Sequence, residues 1–203
     1  MTDDPVPVAA PRVVPLYNPA NVLTAIRIVL VPVFLGLVVA SGLAGTGPRI
    51  AACVVFCVAS ATDFVDGWIA RRWSLVTSFG KVADPIADKA LTGTALVLLS
   101  VYDRLPWWVT VLILVREWGV TALRFLVIRY GIIPASRGGK LKTVLQIAAI
   151  AWYVWPVPHP ADIVGPVLMA AALIVTMVTG ADYLIQALRL RREARGGLGA
   201  DRT

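Results

Sequence analysis

Apolar runs of bilayer length dominate this chain. A spanning helix needs about 20 mostly apolar residues, and six segments meet that need, at roughly 22–40, 50–71, 81–101, 107–129, 141–157 and 163–188. They fill so much of the 203 residues that no second domain fits between them. Hydrophobic residues make up 58% of the chain and charged ones 15%, against about 45–50% and 25% in a soluble domain. Disorder, collagen and disulfide-rich secreted scaffolds are excluded on that ground. Cys53 and Cys57 lie four apart in one run and read as small core residues. The expected fold is an all-α integral membrane protein with six transmembrane helices.

Turn residues separate the runs, at Ser41-Gly42 through Gly47-Pro48, Leu105-Pro106, Gly131 to Gly139, and Pro156 to Pro160. Residues 1–20, with five prolines and no apolar stretch, read as an irregular arm and not as a cleavable signal. The expected domains are therefore the arm (1–20), a six-helix unit (21–190) and a basic tail (191–203).

The net charge of +7 points to a membrane surface and not to nucleic acid, because the basic residues sit at the ends of apolar runs. Arg71, Arg72, Lys81, Arg129, Arg137, Lys140, Lys142, Arg189, Arg191, Arg192 and Arg195 collect on one side. Arg49 and Arg104 lie on the other. The excess of Lys and Arg marks the cytoplasmic face, so both termini are expected there, in the plasma (inner) membrane. Trp107, Trp108, Trp152 and Trp155 fall near span ends and read as interfacial anchors.

Carboxylates inside spans carry the functional information, since each costs at least about 2.5–3.5 kcal/mol on insertion scales. Asp63, Asp66, Asp84, Asp88, Glu117 and Asp182 all fall within or at the edge of a run. Asp63 and Asp66 are about 60° apart on one helix face, while Gly80, Asp84 and Asp88 step by four along the next helix. Converging carboxylates in a low dielectric either protonate or bind cations. All-oxygen donors suit Mg²⁺ or Mn²⁺, and no His or Cys cluster competes for a softer metal. Gly67 and Gly80 allow close approach of a ligand, and Arg71 offers a donor fork for phosphate. Two divalent ions clamping a diphosphate are the natural chemical reading. The bland alternative is that these acids merely pair with Arg71, Arg72, Lys81 and Lys89.

The pattern Asp63-x2-Asp66-Gly67-x2-Ala70-Arg71-x8-Gly80-x3-Asp84-x3-Asp88 resembles the signature of the CDP-alcohol phosphatidyltransferases, with eight fixed residues over 26 positions. The resemblance implies a six-helix membrane enzyme, usually homodimeric, that transfers a phosphatidyl group from a CDP-lipid to an alcohol and releases CMP. It assigns Asp63, Asp66 and Asp84 to the metals, and gives Asp88 both a metal and the role of base toward the acceptor hydroxyl. It places Gly67, Arg71, Thr77 and Gly80 at the CDP portion, together with Asn21, Thr24, Arg27 and Ala70 on the CDP-lipid.

Flanking segments narrow the acceptor. Asn18-Pro-Ala-Asn21-x-Leu23-Thr24-x2-Arg27, the pair Arg116-Glu117 with Arg124, and Ser136-Arg-Gly-Gly139-Lys140-x-Lys142-Thr143 resemble the branch of the family that joins CDP-diacylglycerol to sn-glycerol 3-phosphate. The likeness extends from about residue 16 to 190. Independently, Arg116, Glu117 and Arg124 cannot face lipid cheaply and should face the bundle interior. Arg116 and Glu117 point about 100° apart, so mutual neutralisation along one helix face is not expected. A second phosphate, held by Arg116, Arg124 and Lys140, accounts for the surplus cations. Arg124 pairing with Asp182 or snorkelling, and Lys140 and Lys142 contacting lipid headgroups, are the bland alternatives. Inositol phosphate or phosphatidylglycerol as acceptor leaves the chemistry unchanged. An ion-coupled transporter is a different class, disfavoured because the acids cluster at one face without a matching second half.

Overall fold

The computed structural model describes residues 19–72, 78–127, 137–158 and 160–200, with side chains for all of these except 20, 66–68, 70, 71, 78–85, 127, 137 and 191–200. Six long helices account for nearly all of it: α1 (Pro19–Ser41), α2 (Thr46–Arg72), α3 (Ser78–Val101), α4 (Trp107–Val127), α5 (Arg137–Val154) and α6 (Val164–Ala200). A 3₁₀ turn at Ala161–Ile163 leads into α6, and no strand occurs among the described residues. The expected helices are all present, with shifted edges. The largest shift is in α6, whose backbone runs on past residue 188 as far as Ala200.

Among the described residues, three helical stretches are long and apolar enough to cross a membrane: Asn21–Ser41, Thr46–Val65 and Ala161–Leu190. The sequence reading gave six. α3 carries Asp88 and Lys89, α4 carries Arg116, Glu117 and Arg124, and α5 carries Lys140 and Lys142. Those charges lower the apolar content of three helices that are packed among the others.

Short turns at 42–45, 102–106 and 155–158 reverse the chain at one end, and the Glu117–Lys142 pair and the interaction of Asp63 with Asp88 bring α4 to α5 and α2 to α3 at the other, so successive helices alternate in direction. The start of α1 and the end of α6 therefore share one end of the bundle. Packing closes a ring, α1 to α3 to α4 to α6 to α5 to α2 and back to α1, with α2 and α5 also touching α3 across it. Every backbone hydrogen bond of a helix is internal, which lets such a ring stand in lipid.

The core fills the half of the bundle away from the chain's charges. Phe34 and Phe56 meet at 5.6 Å between ring centroids, within the range of favourable tilted pairs. Leu96, Leu99, Ile113, Ile150 and Val154 are buried around them. Ser100 and Thr110 share a hydrogen bond of 2.7 Å between α3 and α4, which satisfies two hydroxyls where no water reaches. α6 approaches α5 so closely that a Cβ on Gly165 would lie 3.3 Å from Trp152 Cδ1.

Outward faces are apolar. Val29, Val115, Phe125, Val167, Ile174 and Val178 are all more than 60% exposed, the reverse of a water-soluble surface. Cys53 is buried, as expected, but Cys57 lies on the exposed face of α2 and is not a core residue. Trp107, Trp108 and Trp155 are exposed at the end that holds the 102–106 turn. Trp152 Nε1 donates to the Ala161 carbonyl at 3.0 Å.

Arg49 has a structural task that the sequence did not suggest. Its Nε donates to the Val154 carbonyl at 3.0 Å, and its Nη2 to Tyr153 and Trp155 carbonyls at 3.0 and 2.7 Å. Tyr153 and Val154 carry the last carbonyls of α5, which lack helical partners and bear the negative end of the helix dipole, and Trp155 follows them directly.

Candidate functional site

The opposite end gathers the charges. α1 contributes Asn21, Thr24 and Arg27, which are 8%, 1% and 0% exposed. A fully buried arginine in an apolar helix demands a counterion. It finds one on α2, where Asp63 Oδ1 accepts from Arg27 Nη1 at 2.6 Å. Asp63 is about one third exposed, so the pair has a dry cationic side and an open anionic side.

Asp88 lies on α3 close enough to Asp63 for their charges to act on each other, and Lys89 of α3, Lys142 of α5 and Glu117 of α4 act on it as well. The structure thus brings together Arg27, Asp63 and Asp88, from three helices. The side chains of Asp66, Gly67, Ala70, Arg71, Gly80 and Asp84, and all of Thr77, lie outside the described residues.

Three further helices meet at a second cluster. Glu117 Oε1 accepts from Arg116 Nη1 at 3.0 Å and also from Lys142 Nζ. Arg116 Nη2 donates to Thr179 Oγ1 of α6 at 2.7 Å. The expectation that Arg116 and Glu117 would not neutralise each other is therefore corrected. Their Cβ directions diverge, but Lys142 draws the Glu117 carboxylate to one side and the long arginine reaches it there. Lys142 is 8% exposed and ion-paired, which sets aside its reading as a headgroup contact.

Gly180 makes the arrangement sterically feasible. A Cβ there would sit 3.0 Å from both Cγ and Nε of Arg116. Arg116 Nε is buried and has no hydrogen-bond partner among the described residues. A guanidinium has five N–H donors, so Arg116 keeps donors beyond the two that Glu117 and Thr179 engage.

Arg124 and Lys140 stand apart from this cluster, and both are exposed. The Arg124 guanidinium carbon lies 5.8 Å from the centre of the Tyr183 ring, a cation–π distance. Asp182, its suggested partner, instead accepts from Gln186 Nε2 at 2.8 Å.

Sequence reasoning missed Thr179, Gly180 and Gln146. The signal was there: Ala172, Thr176 and Gly180 recur every four residues in an apolar helix, a spacing that marks a close packing face. Gln146, four residues after Lys142 and 3% exposed, shares the inward face of α5 by the same periodicity.

As a place for metal ions, the donor set consists of carboxylate oxygens without imidazole or thiolate, which fits a hard divalent cation. Among the described residues no group of three or more His, Cys, Asp or Glu side chains comes together. Asp63 and Asp88 are the two members of the four-aspartate set whose side chains are described.

The profile of the family described as CDP-alcohol phosphatidyltransferase matches residues 17–178. The chain is 51% identical over 172 residues to a probable phosphatidylglycerophosphate synthase of Mycobacterium tuberculosis (strain ATCC 25618 / H37Rv), covering 85% of this chain and 82% of that one. A CDP-diacylglycerol–glycerol-3-phosphate 3-phosphatidyltransferase of Escherichia coli (strain K12) is 36% identical over 174 residues, 83% of this chain and 93% of its own. A protein of the same name from Bacillus subtilis (strain 168) is 38% identical over 146 residues, 67% of this chain and 76% of its own.

Proposed function

The chain belongs to the CDP-alcohol phosphatidyltransferase family, and on that premise we propose that it transfers the phosphatidyl group of CDP-diacylglycerol to sn-glycerol 3-phosphate, yielding phosphatidylglycerophosphate and CMP. The observation that carries this reading is the agreement of relatives at 36–51% identity, each matched over more than four fifths of this chain, on one reaction in their names. Those names favour glycerol 3-phosphate over inositol phosphate or phosphatidylglycerol. The six-span topology, with both termini and the charged end at the cytoplasmic face of the plasma membrane, is part of the same proposal, as is a homodimer.

The acceptor hydroxyl attacks the phosphatidyl phosphorus, a new P–O bond forms, and the bond to the CMP phosphate breaks. Asp63, Asp66, Asp84 and Asp88 would hold divalent cations, which when bound supply charge neutralisation for the diphosphate and the departing CMP. Asp88 accepts the proton of the acceptor hydroxyl. Arg27, Asn21 and Thr24 line the donor side with Gly67, Ala70, Arg71, Thr77 and Gly80. Arg116, Arg124 and Lys140 receive the acceptor's own phosphate, for which the orphaned Nε of Arg116 supplies a dry donor.

Transfer assays on the purified enzyme test the reading, with CDP-diacylglycerol as donor and glycerol 3-phosphate, inositol phosphate or phosphatidylglycerol as acceptor. Glycerol 3-phosphate is the expected substrate. Activity should vanish with chelator and return with Mg²⁺ or Mn²⁺ but poorly with Zn²⁺. Full turnover in excess EDTA sinks the metal assignment. A preference for another acceptor sinks the substrate assignment alone.

A further inference from the structure

A groove of about 380 Å³ runs along the outside of α3, walled by Leu35 of α1 and by Leu114 and Trp118 of α4. Its floor is Gly93 and Val97, and Lys89 stands at its charged end. From Lys89 to Leu98 it extends about 13 Å, nine residues of helical rise.

Lys89 is half-buried and makes no hydrogen bond or ion pair among the described residues. The carboxylates of Asp88 and Glu117 act on it only at longer range. An ammonium in apolar surroundings is costly without an anion. On a membrane helix its stem lies along apolar surface while the head reaches the level of lipid phosphates. An apolar channel ending in a cation that has no hydrogen-bonded or ion-paired partner among the described residues matches the two ends of a single molecule.

We propose that this groove seats one acyl chain of an anionic bilayer phospholipid, with its phosphate on Lys89. The seat is separate from the reaction site, because Asp88 and Lys89 diverge by about 100° on α3. Lys89 lines the groove with Leu35 of α1 and Leu114 and Trp118 of α4, while its charge reaches Asp88 and Glu117 from outside the reaction site.

Trp118 is a built-in reporter of occupancy. The full-length enzyme is placed in phosphatidylcholine vesicles containing either bromine-labelled phosphatidylglycerol or bromine-labelled phosphatidylcholine. The Trp118 signal is taken as the difference from Trp118→Phe. Phosphatidylglycerol should quench it at several-fold lower mole fraction. Lys89→Gln should cut that preference by about fivefold, the worth of one cation near a lipid surface. Gly93→Leu, which fills the floor, should remove the quenching while the other tryptophans respond as before.

Equal quenching by the two lipids overturns the proposal. So does displacement of the bromolipid by saturating CDP-diacylglycerol, which makes the groove the donor's. Conversion of a dimer to a monomer by Gly93→Leu also overturns it, by making the groove a contact between copies. These outcomes leave the transferase reading intact, since none measures acceptor choice or turnover.

Discussion

Arg49 and Arg116 are both half-buried arginines in a helical bundle, yet they are used differently. Arg49, at the end away from Asp63 and Asp88, spends three donors on carbonyls at the end of α5 and just past it. Its acceptors are neutral, fixed backbone carbonyls, and no carboxylate or hydroxyl among the described residues takes part. Arg116, at the charged end, is tied to Glu117 and Thr179 while its Nε stays orphaned. An arginine held by the carbonyls of a helix end serves structure, and one held beside a carboxylate and a hydroxyl with a buried, unpartnered Nε marks the charged site. The two ends differ as wholes: one closes over Phe34, Phe56 and Leu99, and the other holds ionic groups from α1 to α5 with a threonine hydroxyl from α6.

The largest effect should come from Asp88→Asn, which removes the proposed base and keeps the side-chain shape. Turnover is expected to fall by about 10²–10⁴-fold, with CDP-diacylglycerol affinity kept. Asp63→Asn should instead raise the Mg²⁺ concentration needed for half-maximal activity, and also loosens Arg27. Titrating metal against rate for both variants separates the roles. Near-normal turnover in Asp88→Asn makes the base assignment wrong.

Next in size is Arg116→Ala. Loss of a charged hydrogen-bonding group costs about 1.5–3 kcal/mol, or roughly 10- to 150-fold at 1.4 kcal/mol per decade. It should appear in KM for glycerol 3-phosphate and leave KM for CDP-diacylglycerol near the parent value. Gly180→Ala is the sharper companion, because it crowds Arg116 without deleting it. A change confined to donor affinity moves this arginine to the other substrate.

Arg49→Ala tests the opposite end and should do less. Losing charged hydrogen bonds to the α5 carbonyls should lower stability by about 2 kcal/mol, read by thermal unfolding in detergent, while turnover per folded enzyme is unchanged. A specific loss of activity at parental stability breaks the contrast between the two ends.

Much of this was legible in the sequence because membrane physics writes it there. Six apolar runs gave six helices, and acids at spacings of three and four flagged the charged end. What stayed hidden depends on side-chain length and on which helices touch. Adjacent Arg116 and Glu117 point apart on a helical wheel, and only the packing of α5 against them explains their pairing. Arg49 was counted as a topological charge, because its carbonyl partners lie over 100 residues away in the chain. The helices α3, α4 and α5 were read as spans from their apolar residues, and their charges make sense only as the inner wall of a site.

The smallest expected effect belongs to Lys140, and it turns on the comparison with Lys142. The two are two residues apart on α5 and so point about 200° apart. Lys142 is buried on Glu117, while Lys140 is exposed. A cation in solvent contributes at most about 1 kcal/mol to an ionic contact, so Lys140→Ala should raise KM for glycerol 3-phosphate by no more than about fivefold. Because exposed charges are screened over about 10 Å at 0.1 M salt, that difference should shrink as salt is raised. Lys142→Ala should instead lower stability at every salt concentration, since it strips a counterion from a carboxylate that Arg116 also holds. KM measured for both variants across a salt series decides the matter. A Lys140→Ala effect equal to that of Arg116→Ala and insensitive to salt means that α5 carries this lysine onto the bound phosphate.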